Sequence, residues 1–173
     1  MTWNFFAYGR YGWSAGMVGM SLAGVGLGMA LVQMFLTGKV VARIGERRTA
    51  MLGMASGAVT MIGFALNPYG WLGFVMIGLL AFQSLAHPTL SAMMSRRATA
   101  DTQGEVQGFA ASLMALGAIL APSIFNPLLA WFTGPKAPFV FWGAAFVVAA
   151  TIAVIALVIL WWVSADEAAE LPA

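Results

Sequence analysis

Residues 38–48 read Gly38-Lys39-Val40-Val41-Ala42-Arg43-Ile44-Gly45-Glu46-Arg47-Arg48, and they hold four of the chain's eight Lys and Arg residues. Uncharged apolar runs flank them, 14–36 before and 49–66 after. A segment this basic cannot lie in hydrocarbon, whereas each neighbouring run is long enough to cross a bilayer. Lys and Arg in short connections collect on the cytoplasmic side, so this stretch sets the direction of every span around it.

Composition agrees with a membrane reading. Of the 173 residues, 61% are hydrophobic and 8% charged, against roughly 25% charged in an ordinary soluble domain, so a water-exposed surface cannot be assembled from this inventory. The apolar runs are continuous and lack the alternation of a membrane strand, which selects an all-α integral membrane bundle over a barrel. About five spans of about 20 residues fit the length, with short connections and no soluble domain. The absence of Cys excludes disulfides and thiolate metal sites.

Outward from the basic stretch, spans are expected at 14–36, 49–66, 71–94, 106–132 and 139–163, with an aromatic interfacial stub at 1–13 and a disordered cytoplasmic tail at 164–173. The stub, too short to span, looks like the end of a helix whose beginning is missing. Gly24 with Gly28, and Gly53 with Gly57, have the small-xxx-small spacing that lets helix backbones approach closely. Asn67-Pro68-Tyr69-Gly70 predicts a tight turn. Thr102 and Glu105 have capping-box spacing for the fourth span, and Pro122 and Pro127 predict a bend in its outer half. Lys39, Arg43, Arg47, Arg48, Arg96 and Arg97 then fall inside, and Arg10 and Lys136 outside. The expected topology is N-terminus outside and C-terminus in the cytoplasm.

The residues carry a family resemblance. Gly38-x-x-x-Ala42-Arg43-x-Gly45-Glu46-Arg47-Arg48 resembles the G-x-x-x-D-[RK]-x-G-x-[RK]-[RK] loop of the major facilitator superfamily. With YGWSAGMVGMSLAGVGL before it and GERRTAMLGM and PTLSAMMSRRATADTQGEVQGFAASLMALGAILAP after it, the chain resembles the carboxyl-terminal half of tetracycline-efflux drug:proton antiporters. That resemblance implies a bundle matching helices eight to twelve of twelve, the six-helix C-terminal bundle with its first helix truncated. It also implies a bacterial inner-membrane location, a small amphipathic substrate, proton coupling, and a partner in the missing N-terminal half or a second copy. Two departures stand out: Ala42 occupies the loop's Asp position, and Ser56-Gly57 stands where those exporters carry an intramembrane Asp.

His87 is the single ionisable side chain inside the expected spans. It lies four residues after Gln83 and four before Ser91, with Ser84 alongside, which predicts a polar stripe on one helix face. Gln83 falls near the midplane, where transporter substrates bind. Two readings stay open: the stripe lines a substrate cavity, with His87 exchanging a proton or bonding a drug, or it is interhelical packing glue. Gln33, Gln107 and Asn126 pose the same choice nearer helix ends. In the basic loop Gly38 and Gly45 are expected to make the turn, with Arg43, Arg47 or Arg48 either latching onto acids and helix ends or fixing topology. No nucleotide-binding loop, metal cluster or catalytic triad is present in the sequence, so no enzyme activity, cofactor, metal or nucleic-acid partner is expected. The competing function is a truncated, non-transporting membrane fragment or small scaffold.

Overall fold

The computed structural model describes residues 2–99, 101–135 and 137–170, with side chains described as far as Val163. Lys136 and the side chains of Asp166, Glu167 and Glu170, all part of the expected charge distribution, lie outside the described residues. Among the described residues every regular element is helical: α1 (Thr2–Tyr11), α2 (Ala15–Leu31), α3 (Thr37–Leu66), α4 (Gly70–Leu80), α5 (Ala86–Arg97), α6 (Gln103–Thr133) and α7 (Ala144–Glu170). A π turn (Val32–Leu36) joins α2 to α3, and a 3-10 turn (Ala81–Leu85) joins α4 to α5.

Helix α2 starts at Ser14, whose Oγ accepts the Met17 N–H at 3.4 Å and so caps one of the orphan donors of the first turn. The basic stretch is not the loop its composition predicts. Helix runs through it, because Lys and Arg are good helix formers and uncharged runs on either side extend it. Gly38 is therefore helical and makes no turn. The single break is Gly45, at φ 82 and ψ 165, a conformation essentially closed to residues with a side chain. A straight helix over Ala15–Leu66, 52 residues, would reach about 78 Å, more than twice a hydrocarbon core. The Gly45 break divides that run into two helical parts. With Gly70–Arg97, Gln103–Thr133 and Ala144–Val163, the described residues hold four helical runs long and apolar enough to cross a membrane.

Two boundaries and one cap differ from expectation. The last helix begins at Ala144 rather than 139, and just before it Gly143 packs so closely on Ala65 that an added Cβ would lie 2.3 Å from the Ala65 carbonyl oxygen. It also continues to Glu170, so residues 164–170 are helical where a disordered tail was expected. Thr102 holds the N-cap position of α6 without capping it: its Oγ1 turns back to accept the Thr99 N–H at 3.0 Å, so no capping box forms with Glu105. Helix α6 runs unbroken through Pro122 and Pro127. The turn before α4 forms as expected, with Asn67 Oδ1 accepting the Tyr69 N–H at 2.8 Å.

Small residues set the packing. A Cβ on Gly28 of α2 would stand 3.0 Å from Ala81 Cβ, and one on Gly53 of α3 would stand 2.6 Å from the Ala86 nitrogen. The α4–α5 run is thus clasped from both sides. Its 3-10 turn packs on the π turn of α2 through Val32, Ala81 and Leu85, which are all buried. Helix α3 lies most extensively along α7. The aromatic stub is a helix with one face folded into the bundle: Phe6 and Ala7 are wholly buried, Trp3 meets Phe64 and Phe6 meets Phe146 edge to face, and Phe5 and Tyr8 stay exposed. Trp3 Nε1 donates to the buried Ser21 Oγ at 2.9 Å, so the indole keeps its hydrogen bond on burial. Helix α6 is the loosest, with Leu129 its one buried residue.

Candidate functional site

Gln83 lies at the middle of the Gly70–Arg97 run, about 20 Å of helix from either end, which is the depth expected for a transported ligand. Pro88 has no N–H to offer the Ser84 carbonyl one turn back, and the chain tightens into the 3-10 turn Ala81–Leu85 just before it. One member of the expected stripe faces away from the other three. Ser84 is buried, its hydroxyl donating to the Ala81 carbonyl at 2.6 Å, so it belongs to the helix's own turn. Gln83 and His87 are exposed on the other side, with Ser91 half-buried beyond them.

The Gln83 carboxamide lies across Gly57 of α3, where an added Cβ would meet it at 2.8 Å, and it has no hydrogen-bond partner among the described residues. Two donors and an acceptor are thereby left for a ligand. His87 Nε2 lies 3.2 Å from Met114 Sδ on α6, a weak contact that holds the ring across the α5–α6 seam. Gln107, on the same seam, donates to Ser95 Oγ at 2.8 Å, which identifies it as a tie between α5 and α6. Gln33 is exposed within the π turn of α2, a kind of helix defect that frequently marks functional positions. Met114 and Ser95 had no sequence signal as partners, since nothing in a single chain sets the register of α5 against α6.

Asn126 belongs elsewhere. Its Oδ1 accepts the Thr2 hydroxyl at 2.6 Å, joining α1 to α6 beside a cavity of about 560 Å³ with Phe5, Tyr8, Thr133 and Trp142 in its walls. Gly9 makes room there for the Trp142 ring, which would lie 2.0 Å from an added Cβ.

Arg47, Arg96 and Arg97 meet Glu46 at one end of the bundle. Glu46, next to the Gly45 break, is 2.8 Å from Arg96 at the end of α5, and Arg47 Nη2 donates to the Trp161 carbonyl at 3.2 Å. Arg43 and Arg48 are described with no salt bridge among the described residues. At the opposite end Asn67 Nδ2 donates to the Tyr11 hydroxyl at 3.3 Å. Burial pushes the Tyr11 phenol above its ordinary value, while that hydrogen bond and nearby Arg10 pull it part of the way back. No group of three or more metal-ligating side chains occurs among the described residues.

Comparison with known proteins identifies the architecture. The chain is similar to the class C tetracycline resistance protein of Escherichia coli, 39% identical over 128 residues, which is 74% of this chain and 32% of that protein. It is also similar to the class G protein of Vibrio anguillarum, 36% identical over 126 residues, 73% of this chain and 32% of that one. The class B protein of Escherichia coli is 34% identical over 124 residues, 72% of this chain and 31% of the relative. The chain thus spans about a third of the length of the relatives it matches. No solved structure matches it. The profile of the Major Facilitator Superfamily matches residues 2–172, and with the apolar helical bundle around it this places the chain as an integral membrane protein of that superfamily.

Proposed function

We propose that this chain forms one wall of a secondary active transporter that exports a small amphipathic compound, tetracycline-like in class, by proton antiport through alternating access. The observation that carries the reading is the Gln83–His87 face: two polar side chains exposed at mid-depth on a run clasped by small residues, one of them without a partner. Polar side chains at that depth are costly unless they meet water or a ligand. The similarity to tetracycline resistance proteins supports the substrate class. Ser56 supplies no carboxylate to α3, so proton exchange in this part of the protein falls to His87, whose ring is accessible.

One bundle offers one wall, and the reading requires a second bundle, from an amino-terminal half or another copy. Helix α6, exposed over nearly its whole length beside His87, is the surface such a bundle would cover. The basic end faces the cytoplasm in this arrangement, with the Glu46–Arg96 pair opening and closing as the bundles rock. The test is accumulation of tetracycline and several dyes in cells without their own efflux pumps, with the chain expressed alone and with a matching amino-terminal half. Lower accumulation with the partner, abolished by an uncoupler, supports the reading. Unchanged accumulation with both halves confirmed in the membrane supports a non-transporting scaffold.

A further inference from the structure

On α1, Phe5, Tyr8 and Gly9 share one face by their i, i+3 and i+4 spacing, and on α6 Asn126, Ala130 and Thr133 share another at i, i+4 and i+7. Between these two faces, with Trp142 from the segment before α7 as a third wall, lies the cavity of about 560 Å³. That volume suits a drug-sized molecule. The walls are tied to one another, by the Thr2–Asn126 hydrogen bond and by the Trp142 ring seated on Gly9. Along α6, Asn126 stands about 18 Å beyond Met114, the contact of His87, so the cavity is separate from the mid-depth face.

The chemistry of the walls is one-sided. Phe5, Tyr8 and Trp142 supply three aromatic rings, and Phe5 and Tyr8 are 64% and 45% exposed, within reach of a ligand. Such rings are best met by another flat ring, offset-stacked or edge to face. None of the lining side chains is charged, so nothing in the walls offsets the desolvation of an ion. The hydrogen-bonding capacity left over is mostly donor. The Asn126 carboxamide has its oxygen on Thr2 and keeps its NH2, and the Trp142 indole and the Tyr8 hydroxyl have no hydrogen-bond partner among the described residues. An acyl chain would fill the volume but leave those donors unmet. We infer that this cavity binds an uncharged planar aromatic compound bearing carbonyl oxygens, of the quinone or aromatic ketone type, with its ring against Phe5, Tyr8 and Trp142 and a carbonyl accepting from the Tyr8 hydroxyl. The site stands apart from the Gln83–His87 reading and does not depend on transport.

The test is calorimetric titration of the purified chain in dodecylmaltoside micelles with menadione, an uncharged naphthoquinone, with empty micelles as the baseline. The parent should bind menadione saturably at a single site. The same ring system without carbonyls, 2-methylnaphthalene, should bind about fivefold more weakly, the worth of a hydrogen bond. Tyr8→Phe keeps the ring at an exposed position, so it should weaken menadione by about fivefold and leave 2-methylnaphthalene unchanged. Trp142→Leu should weaken both compounds by about tenfold through the lost ring contact. If that variant loses helicity, the Tyr8→Phe comparison decides alone. No saturable binding in the parent, equal affinity for the two compounds, or menadione binding untouched by Tyr8→Phe would overturn the site. A loss in Gln83→Ala equal to that in Tyr8→Phe would place the ligand on the mid-depth face and overturn it as well.

Discussion

Ser56 Oγ donates a 2.7 Å hydrogen bond to the Leu79 carbonyl, from the middle of α3 to the last turn of α4, just where the α4–α5 run tightens. The hydroxyl therefore works as a tie between two spans. Ser56→Ala should lower thermal stability in detergent by about 1 kcal/mol, the usual worth of an interhelical hydrogen bond in a membrane. An unchanged melting temperature would show that Leu79 finds another donor.

The two small residues of α3 should differ when enlarged. An alanine Cβ at Gly53 would lie 2.6 Å from the Ala86 backbone nitrogen, which cannot move without shifting the helix, whereas at Gly57 it meets the flexible Gln83 side chain at 2.8 Å. Gly53→Ala should cost about 1–3 kcal/mol as overpacking, and Gly57→Ala much less. Gly57→Ala should nonetheless displace the Gln83 carboxamide, so it should weaken ligand binding while leaving the fold. Parallel melting curves for the two variants check the order, and equal losses would contradict this packing.

Gly45 carries the break within the Ala15–Leu66 run. Gly45→Ala should cost about 1–3 kcal/mol, because φ 82 with ψ 165 is closed to a side chain. It should also loosen the Glu46–Arg96 pair one residue on. Glu46→Gln by itself should change stability by less than about 1 kcal/mol, since Arg96 is largely exposed and such pairs are screened. Chemical unfolding of both variants separates the two effects; a larger loss for Glu46→Gln would move the structural role from the backbone to the ion pair.

The Tyr11 phenol gives the opposite end a dependence on alkaline pH. Its raised value means that the folded state favours the neutral form, so its contribution is whole below the ordinary value of 10.0 and is lost as pH rises through the higher folded value. Tyr11→Phe should flatten the alkaline arm of the stability profile. A profile unchanged by that substitution would assign the alkaline loss to other groups.

The apolar helices, the turn at Asn67 and the close approach at the glycine pairs were legible in the sequence, because each follows from local composition or spacing. Gly45 was legible as the place of a turn, but not as its whole extent: the basic charges around it made a loop look necessary, while a helix beyond the hydrocarbon core satisfies them equally well. The 3-10 turn at Ala81–Leu85 lies just before Pro88 and packs against the π turn at Val32–Leu36. The π turn had no sequence signal. Nor did the burial of Trp3 and Phe6, whose aromatic character fits an interface as well as a core until Phe64 and Phe146 are placed beside them.

The most direct test of a substrate path along Gln83 and His87 is uptake of labelled tetracycline into everted membrane vesicles that hold this chain and an amino-terminal half, with a pH gradient imposed. The account predicts gradient-dependent uptake, a loss of about tenfold in kcat/KM for Gln83→Ala, corresponding to about 1.4 kcal/mol for its unmade hydrogen bonds, and loss of the gradient dependence for His87→Ala. Uptake with both variants at the parent's rate, or no response to the gradient in the parent, would contradict it.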